Sequence, residues 1–113
     1  AEYQEEIGLA YERMKDWEKA APAYEQAAKL QPDVARMWNK AGVAWFHSGH
    51  NEKALECYQK AISLDSNQPT YFDNLGLVYE RLEQWEKAIA AYQERAALLP
   101  AEQTGETMAL IAH

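Results

Sequence analysis

Apolar residues recur along this chain at the spacing of an α-helix, and the whole pattern repeats every 34 residues. Three glycines, Gly8, Gly42 and Gly76, mark the period. Aligning the blocks that begin at residues 1, 35 and 69 places similar residues in the same columns. These columns are Ile7, Ala41 and Leu75; Tyr11, Trp45 and Tyr79; Ala20, Ala54 and Ala88; Tyr24, Tyr58 and Tyr92; and Leu30, Leu64 and Leu98. A period of this length is typical of a solenoid, in which each unit buries its apolar face by stacking on the next.

Each block is predicted to form two helices joined by a short turn. The predicted helices cover about 2–14 and 18–30, then 36–47 and 52–64, then 70–82 and 86–98. Asp33 and Asn67 are predicted N-caps of the helices that follow them. The glycine column is expected to let the first helix of a block approach the alanine column of the second. The chain is therefore predicted to be all-α.

The columns resemble the tetratricopeptide repeat, a helix-turn-helix of 34 residues with aromatic, glycine, alanine and proline positions at fixed offsets. The second block carries this signature in Trp38, Gly42, Trp45, Ala54, Tyr58 and Ala61, and the third in Phe72, Leu75, Gly76, Tyr79, Ala88, Tyr92 and Pro100. The resemblance covers residues 1 to about 100. It implies a right-handed α-solenoid of three helix-turn-helix units, 1–34, 35–68 and 69–102, with a C-terminal capping helix in 103–113, all in one domain.

Three positions depart from the family pattern, namely Gln4, Ser66 and Arg95. Arg95 stands where Ala27 and Ala61 offer the small side chain that lets the next repeat approach. It therefore favours an end of the array after the third unit. A seventh helix from about Glu106 is expected to cover that end, yet the apolar run 108–112 exceeds what one short helix can bury. Either more chain follows, or this run meets another molecule.

Composition limits the classes of function. The 113 residues carry a net charge of −7 without a basic cluster, which argues against a nucleic-acid binder. No apolar run is long enough for membrane insertion and no signal peptide is seen, so a soluble chain is expected, cytoplasmic by default and otherwise of open location. The single cysteine, Cys57, shares a column with Ala23 and Ala91, so we predict a packed thiol.

Candidate chemistry is sparse. His47, His50 and Cys57 are the best metal ligands available, but the predicted helices do not converge them on one ion. No nucleophile elbow or phosphate-binding glycine loop occurs. Neither an enzyme nor a cofactor is expected. The four tryptophans are predicted to serve the core and the turns rather than a ligand cage: Trp17, Trp38, Trp45 and Trp85.

The resemblance implies that a partner lies in a concave groove formed by the first helix of each unit. The positions expected to face it are Glu5, Glu6, Leu9 and Arg13; Arg36, Asn39, Lys40, Val43, Phe46 and His47; and Asp73, Asn74, Leu77 and Arg81. Leu9, Val43 and Leu77 predict an apolar strip along the floor, although the same residues could instead pack between neighbouring helices. Phe46 shares its column with Glu12 and Glu80, which predicts an exposed aromatic anchor.

The leading hypothesis is therefore an adaptor that binds a protein or peptide through Asn39, Asn74 and the apolar strip. Glu2, Glu5 and Glu6 predict an acidic end of the groove, where a ligand would place a basic group. The lysine, asparagine and arginine clamp with which some family members hold acidic chaperone tails is absent, because its positions read Glu5, Leu9, Lys40, Thr70 and Asn74. The alternative is a structural array that forms homo-oligomers through its terminal helices.

Overall fold

Residues 2–99, which the computed structural model describes, form six α-helices and no strand. They are α1 (Glu2–Arg13), α2 (Trp17–Leu30), α3 (Ala35–His47), α4 (Asn51–Leu64), α5 (Pro69–Arg81) and α6 (Trp85–Leu98). We call α1, α3 and α5 the A helices and α2, α4 and α6 the B helices. The predicted all-α fold is confirmed, with helix ends within one residue of expectation. The capping helix expected in 103–113 lies outside the described residues.

Neighbouring elements in sequence are neighbours in space. Each helix packs against the next along the chain, and α3 also contacts α5 directly. The core between them is built from alanines and a few large side chains, of which Tyr24, Met37, Tyr58 and Val78 are fully buried. Alanine faces allow the helices to approach, and the large rings fill the space around the crossings. The A helices consequently lie side by side along one face of the array.

The glycine column makes room for a tyrosine of the B helix, a contact that the sequence analysis did not predict. A Cβ on Gly8 would lie 2.7 Å from Tyr24 Cδ1, and one on Gly42 would lie 2.6 Å from Tyr58 Cε1. Real carbon atoms do not approach this closely. Each glycine therefore makes room for a B-helix tyrosine ring that packs closely against the A helix.

The turn from A helix to B helix has the same backbone in all three units. Lys15, Gly49 and Glu83 occupy equivalent positions with φ of 60°, 89° and 60°. The amide of the next residue bonds back across five residues, as from Asp16 to the Tyr11 carbonyl at 2.9 Å. This is the Schellman arrangement, in which a left-handed residue ends the helix. Glycine adopts this left-handed conformation readily. Lys15 and Glu83 adopt it against the steric preference of a residue that carries a Cβ atom.

The predicted side-chain caps are wrong. Val34 and Gln68 hold the N-cap positions of α3 and α5, and neither helix has a side-chain cap hydrogen bond. Instead, the Asp65 carboxylate accepts hydrogen bonds from the backbone N–H of Asn67 at 3.1 Å and from the side-chain amide of Gln68 at 3.2 Å. The loop before α5 is thus ordered by an aspartate at its start, several residues before the helix.

The burial of each tryptophan depends on whether a following repeat covers it. Trp38 and Trp45 are each 6 % exposed and belong to the core, as predicted. Trp17 is half-buried because the His47 ring of the next unit stacks on it, with ring centres 4.5 Å apart. Its equivalent Trp85 is 56 % exposed, so the expected packing role is wrong there. Nothing within residues 2–99 follows the third unit to cover Trp85.

Candidate partner-binding groove

The predicted groove residues all lie on the A helices, and none of them is fully buried. Six are exposed and eight are half-buried, so the face that they form is open to solvent along α1, α3 and α5. The exposed residues are Glu6, Arg13, Arg36, His47, Leu77 and Arg81; the half-buried ones are Glu5, Leu9, Asn39, Lys40, Val43, Phe46, Asp73 and Asn74. We call this surface the A-helix face. The Glu2 side chain is outside the described part of the structure.

An amide pair links the middle of this face. Asn74 Nδ2 of α5 donates to Asn39 Oδ1 of α3 at 2.9 Å, and both side chains are half-buried. That single bond leaves Asn39 with two N–H donors, and Asn74 with one N–H and its carbonyl oxygen. Donors and acceptors therefore remain on both sides of the bridge.

A cleft of about 700 Å³ adjoins the amide pair between α3 and α5. It is lined by Val34, Ala35, Arg36, Asn39, Lys40, Asp65, Gln68, Thr70 and Tyr71. Arg36, Asn39 and Lys40 were expected here from the sequence, whereas Tyr71 and the loop residues Asp65 and Gln68 were missed. Whether these residues line the cleft depends on the path of the loop before α5, and the register of the repeats alone does not predict that path.

Ion pairs within the array neutralise part of the predicted charge pattern. Arg36 Nη1 lies 2.7 Å from Glu5 Oε2 of the preceding unit, and Arg95 Nη1 lies 2.8 Å from Asp73 Oδ1. Glu5 was expected to contribute to an acidic end of the groove, and its pairing with Arg36 corrects that expectation. Glu6, by contrast, is exposed and forms no ion pair within residues 2–99.

Lys40 lies beside the amide pair without a carboxylate partner among the described residues. Its Nζ is 5.6 Å from the centre of the Tyr24 ring, a cation–π distance that leaves its three N–H donors available. The middle of the A-helix face therefore holds one uncompensated positive charge next to Asn39 and Asn74.

Phe46 is less exposed than its column predicted. The Arg81 guanidinium lies 3.9 Å from the ring centre and also donates to the Phe46 carbonyl at 3.1 Å. The ring packs against the core as well. Glu12 and Glu80 share the column and accept hydrogen bonds from B-helix tyrosines, and of the two only Glu80 is exposed. Phe46 is part of the contact between the second and third units.

The apolar strip is uneven. Leu77 is 40 % exposed, while Leu9 and Val43 are half-buried and Val43 packs against the core. The ninth position thus serves both the packing between A helices and the floor of the face. Only Leu77 presents a large apolar side chain to solvent in this row.

Two glutamates on the A helices accept hydrogen bonds from B-helix tyrosines, which the sequence analysis did not predict. The Tyr24 hydroxyl donates to Glu12 Oε1 at 2.5 Å, and the Tyr92 hydroxyl donates to Glu80 Oε2. Burial first, and then this hydrogen bond, raise the pKa of Tyr92 to about 12 and that of Tyr24 higher still. The pairing of glutamate with tyrosine in the first and third blocks was the signal available in the sequence.

Cys57 and the two histidines have separate surroundings. Cys57 is 4 % exposed, as predicted, and burial raises the pKa of its thiol to about 12. His47 stacks on Trp17, and His50 Nε2 lies 3.5 Å from Glu18 Oε1. In the part of the chain that the structure describes, no three His, Cys, Asp or Glu side chains are grouped as a metal site requires.

Within residues 2–99, no helix combines the length and the apolar character that crossing a membrane requires.

Solved structures of similar fold are numerous. Residues of MamA from Desulfovibrio magneticus RS-1 match at 26 % identity and a TM-score of 0.76, over 80 % of this chain and 51 % of that one. The Arabidopsis OM64 TPR domain matches at 24 % identity and a TM-score of 0.81, over 94 % and 88 %. The second TPR of Spaghetti (RPAP3), bound to the HSP90 peptide SRMEEVD, matches at 18 % identity and a TM-score of 0.79, over 86 % and 90 %. The last two likenesses concern the fold alone.

The chain spans about half the length of the MamA protein that it matches, 51 % of that chain. No curated protein matches it. Sequence profiles of the tetratricopeptide repeat match residues 6–69 and 72–106, which is most of the chain. The period, the six helices and these matches agree, and the chain belongs to the tetratricopeptide repeat family.

Proposed function

We propose that this chain is a protein-interaction module that binds a peptide or helix of a partner on the A-helix face. It acts by binding and has no catalytic part. The family and the open surface along α1, α3 and α5 support this function.

The observation that carries the proposal is the amide pair of Asn39 and Asn74. An extended peptide presents backbone donors and acceptors in alternation, and the bridge offers both kinds of group at half-buried positions. The adjoining cleft of about 700 Å³ has room for side chains of the ligand, against Tyr71 and Val34. Leu77 extends the contact surface with an exposed apolar side chain.

The uncompensated charges orient the ligand. Glu6 favours a basic group toward the first repeat, and Lys40 favours an acidic group near the amide pair. The internal pairs of Glu5 with Arg36 and Asp73 with Arg95 leave Glu6 and Lys40, together with Arg13 and Arg81, as the charges of this face that form no ion pair within residues 2–99. A partner segment with a basic and an acidic residue a few positions apart fits this arrangement.

The fold neighbours support a binding role in general terms. The Spaghetti (RPAP3) repeat domain is bound to a peptide, which shows that this fold accommodates one. The lysine and arginine positions of the chaperone-tail clamp are not matched in this chain.

A selection from random displayed peptides on the wild-type chain tests the function. Peptides that bind should be enriched, and Asn74→Ala should weaken the best of them about fivefold or more, because it removes groups that hydrogen-bond the ligand backbone. Gln26→Ala is the matched control, since it deletes an exposed amide on α2. Enriched peptides whose Kd is unchanged by both Asn74→Ala and Lys40→Ala would contradict the proposal, as would a selection that enriches none.

A further inference from the structure

We propose that this chain binds a second copy of itself head to tail, with the free face of α1 of one copy packed on the free face of α6 of the other. This interaction is separate from ligand binding on the A-helix face. Equivalent positions in successive repeats carry the inference, because within residues 2–99 they are covered between repeats and uncovered at the two ends of the array.

The free face of α1 is the first half of the argument. Tyr3 is 70 % exposed, Ala10 is exposed, and Met14 just beyond the helix is 71 % exposed. Residues three and ten share one side of a helix. Their equivalents in the second repeat, Met37 and Ala44, are both 0 % exposed. The preceding B helix covers these positions in the second repeat, and no helix covers them in the first.

The free face of α6 is the second half. Trp85 and Ile89 are each 56 % exposed, and Ala96 is exposed. The equivalents of Ile89 and Ala96 in the first repeat are Ala21 and Ala28, both 0 % exposed. The faces that mate between successive repeats are therefore the same two faces that stand open at the ends of the array, and both are apolar.

Polar groups at the two ends match in the same register. Trp45 Nε1 donates to Glu25 of the preceding repeat at 2.9 Å, and Gln59 Nε2 donates to the Tyr79 hydroxyl of the following repeat at 3.4 Å. At a head-to-tail contact, the residues in these two positions would be Gln93 of one copy and Tyr11 of the other. That is again a glutamine facing a tyrosine.

Charges at the contact are complementary as well. Arg81 donates to the backbone carbonyl of Phe46, the twelfth residue of the preceding repeat. At the contact between copies the residues in these positions would be Arg13 and Glu80, whose charges are opposite. Arg95 departs from the alanines at its position, but its guanidinium is drawn to Asp73 at 2.8 Å.

The contact joins two different surfaces, so it leaves each end of the assembly open and builds chains longer than a dimer. Sedimentation of the full chain should show an average mass that rises with concentration beyond that of two copies. Tyr3→Lys and Ile89→Lys, each at an exposed site, should both give folded monomers by circular dichroism. Leu30→Lys is the matched control, because Leu30 is 55 % exposed but lies at the end of α2, and it should assemble as the wild type does.

Mixing the two variants gives the sharpest test. The Tyr3→Lys chain keeps an intact α6 face and the Ile89→Lys chain keeps an intact α1 face, so an equimolar mixture should form a dimer and nothing larger. Met14→Lys and Trp85→Lys are a second pair with the same expectation. A wild-type chain that stays monomeric at every concentration overturns the proposal, and residues 100–113 are then the candidate cover of α6. Assembly that survives Tyr3→Lys, or a mixture that stays monomeric, overturns it too.

Discussion

Tyr24 and Tyr58 stand at the same position of successive repeats and differ in one contact. The Tyr24 hydroxyl donates to Glu12, whereas the residue equivalent to Glu12 in the second repeat is Phe46, whose side chain has no acceptor. Tyr24→Phe should lower the free energy of unfolding by about 1.5 kcal/mol, as expected for a hydrogen bond to a charged group, and Tyr58→Phe by less than about 0.5 kcal/mol. Urea unfolding of both variants measures this difference, and equal losses would show that the bond to Glu12 adds nothing.

The Cys57 thiol makes stability depend on pH. Burial, and next the charges of Glu25 and Glu56, raise its pKa from an ordinary 9.0 to about 12. The folded chain thus keeps the proton where the unfolded chain releases it, so stability is complete below pH 9 and declines between the two values. At pH 9.5 the wild type should have lost about 1 kcal/mol relative to pH 7 through this group.

Cys57→Ala is the control for this pH effect, because alanine fills the same column in the other two repeats as Ala23 and Ala91. The comparison is kept below pH 10, since Tyr24 and Tyr58 also have raised pKa values and add their own loss above their ordinary 10.0. Thermal unfolding at pH 7 and 9.5 gives the two slopes. Identical slopes for wild type and Cys57→Ala would mean that the thiol ionises in the folded chain as readily as in the unfolded one.

The turns between A and B helices allow a test of helix termination. Lys15, Gly49 and Glu83 share a left-handed backbone conformation, and of the three residue types only glycine is suited to it. Glu83→Gly should therefore stabilise the chain, and Gly49→Ala should destabilise it, each by about 1 kcal/mol. Melting temperatures of the two variants should move in opposite directions. A stabilised Gly49→Ala would show that chain entropy in the unfolded state outweighs the backbone strain.

The helices themselves could be predicted from the sequence because their period fixes which residues share a face. Gly8, Gly42 and Gly76 set the register, and the breaks near residues 15, 49 and 83 set the lengths. The partner of the glycines could not be predicted, since alanine and tyrosine columns both lie on the facing B helix. The structure identifies the tyrosine, as at Gly42 and Tyr58. The close approach of a ring to a glycine backbone depends on side-chain rotamers, which periodicity does not specify.

Across the whole molecule, repeat register predicted which side chains share the A-helix face but not how they pair. Arg36 reaches Glu5 of the preceding repeat, and Arg81 covers Phe46 in the same way. Both contacts join residues 31 or 35 positions apart, through long side chains that bend toward the neighbouring repeat. Register places the Cα atoms of such a pair near each other, and the competition among nearby charges then selects the partner.

The pairing of Glu5 leaves Glu6 as the residue on which the orientation of a ligand depends. Glu6→Lys should slow the association of a groove-binding peptide with a basic group, and the effect should be largest at low salt, because exposed charges act mainly on encounter. Glu52→Lys makes the same change in net charge at an exposed position on α4 and should leave the rate nearly unchanged. Stopped-flow fluorescence at two salt concentrations separates association from dissociation. If both variants slow association equally, the total charge of −7 governs encounter, and the proposed orientation along the A-helix face is wrong.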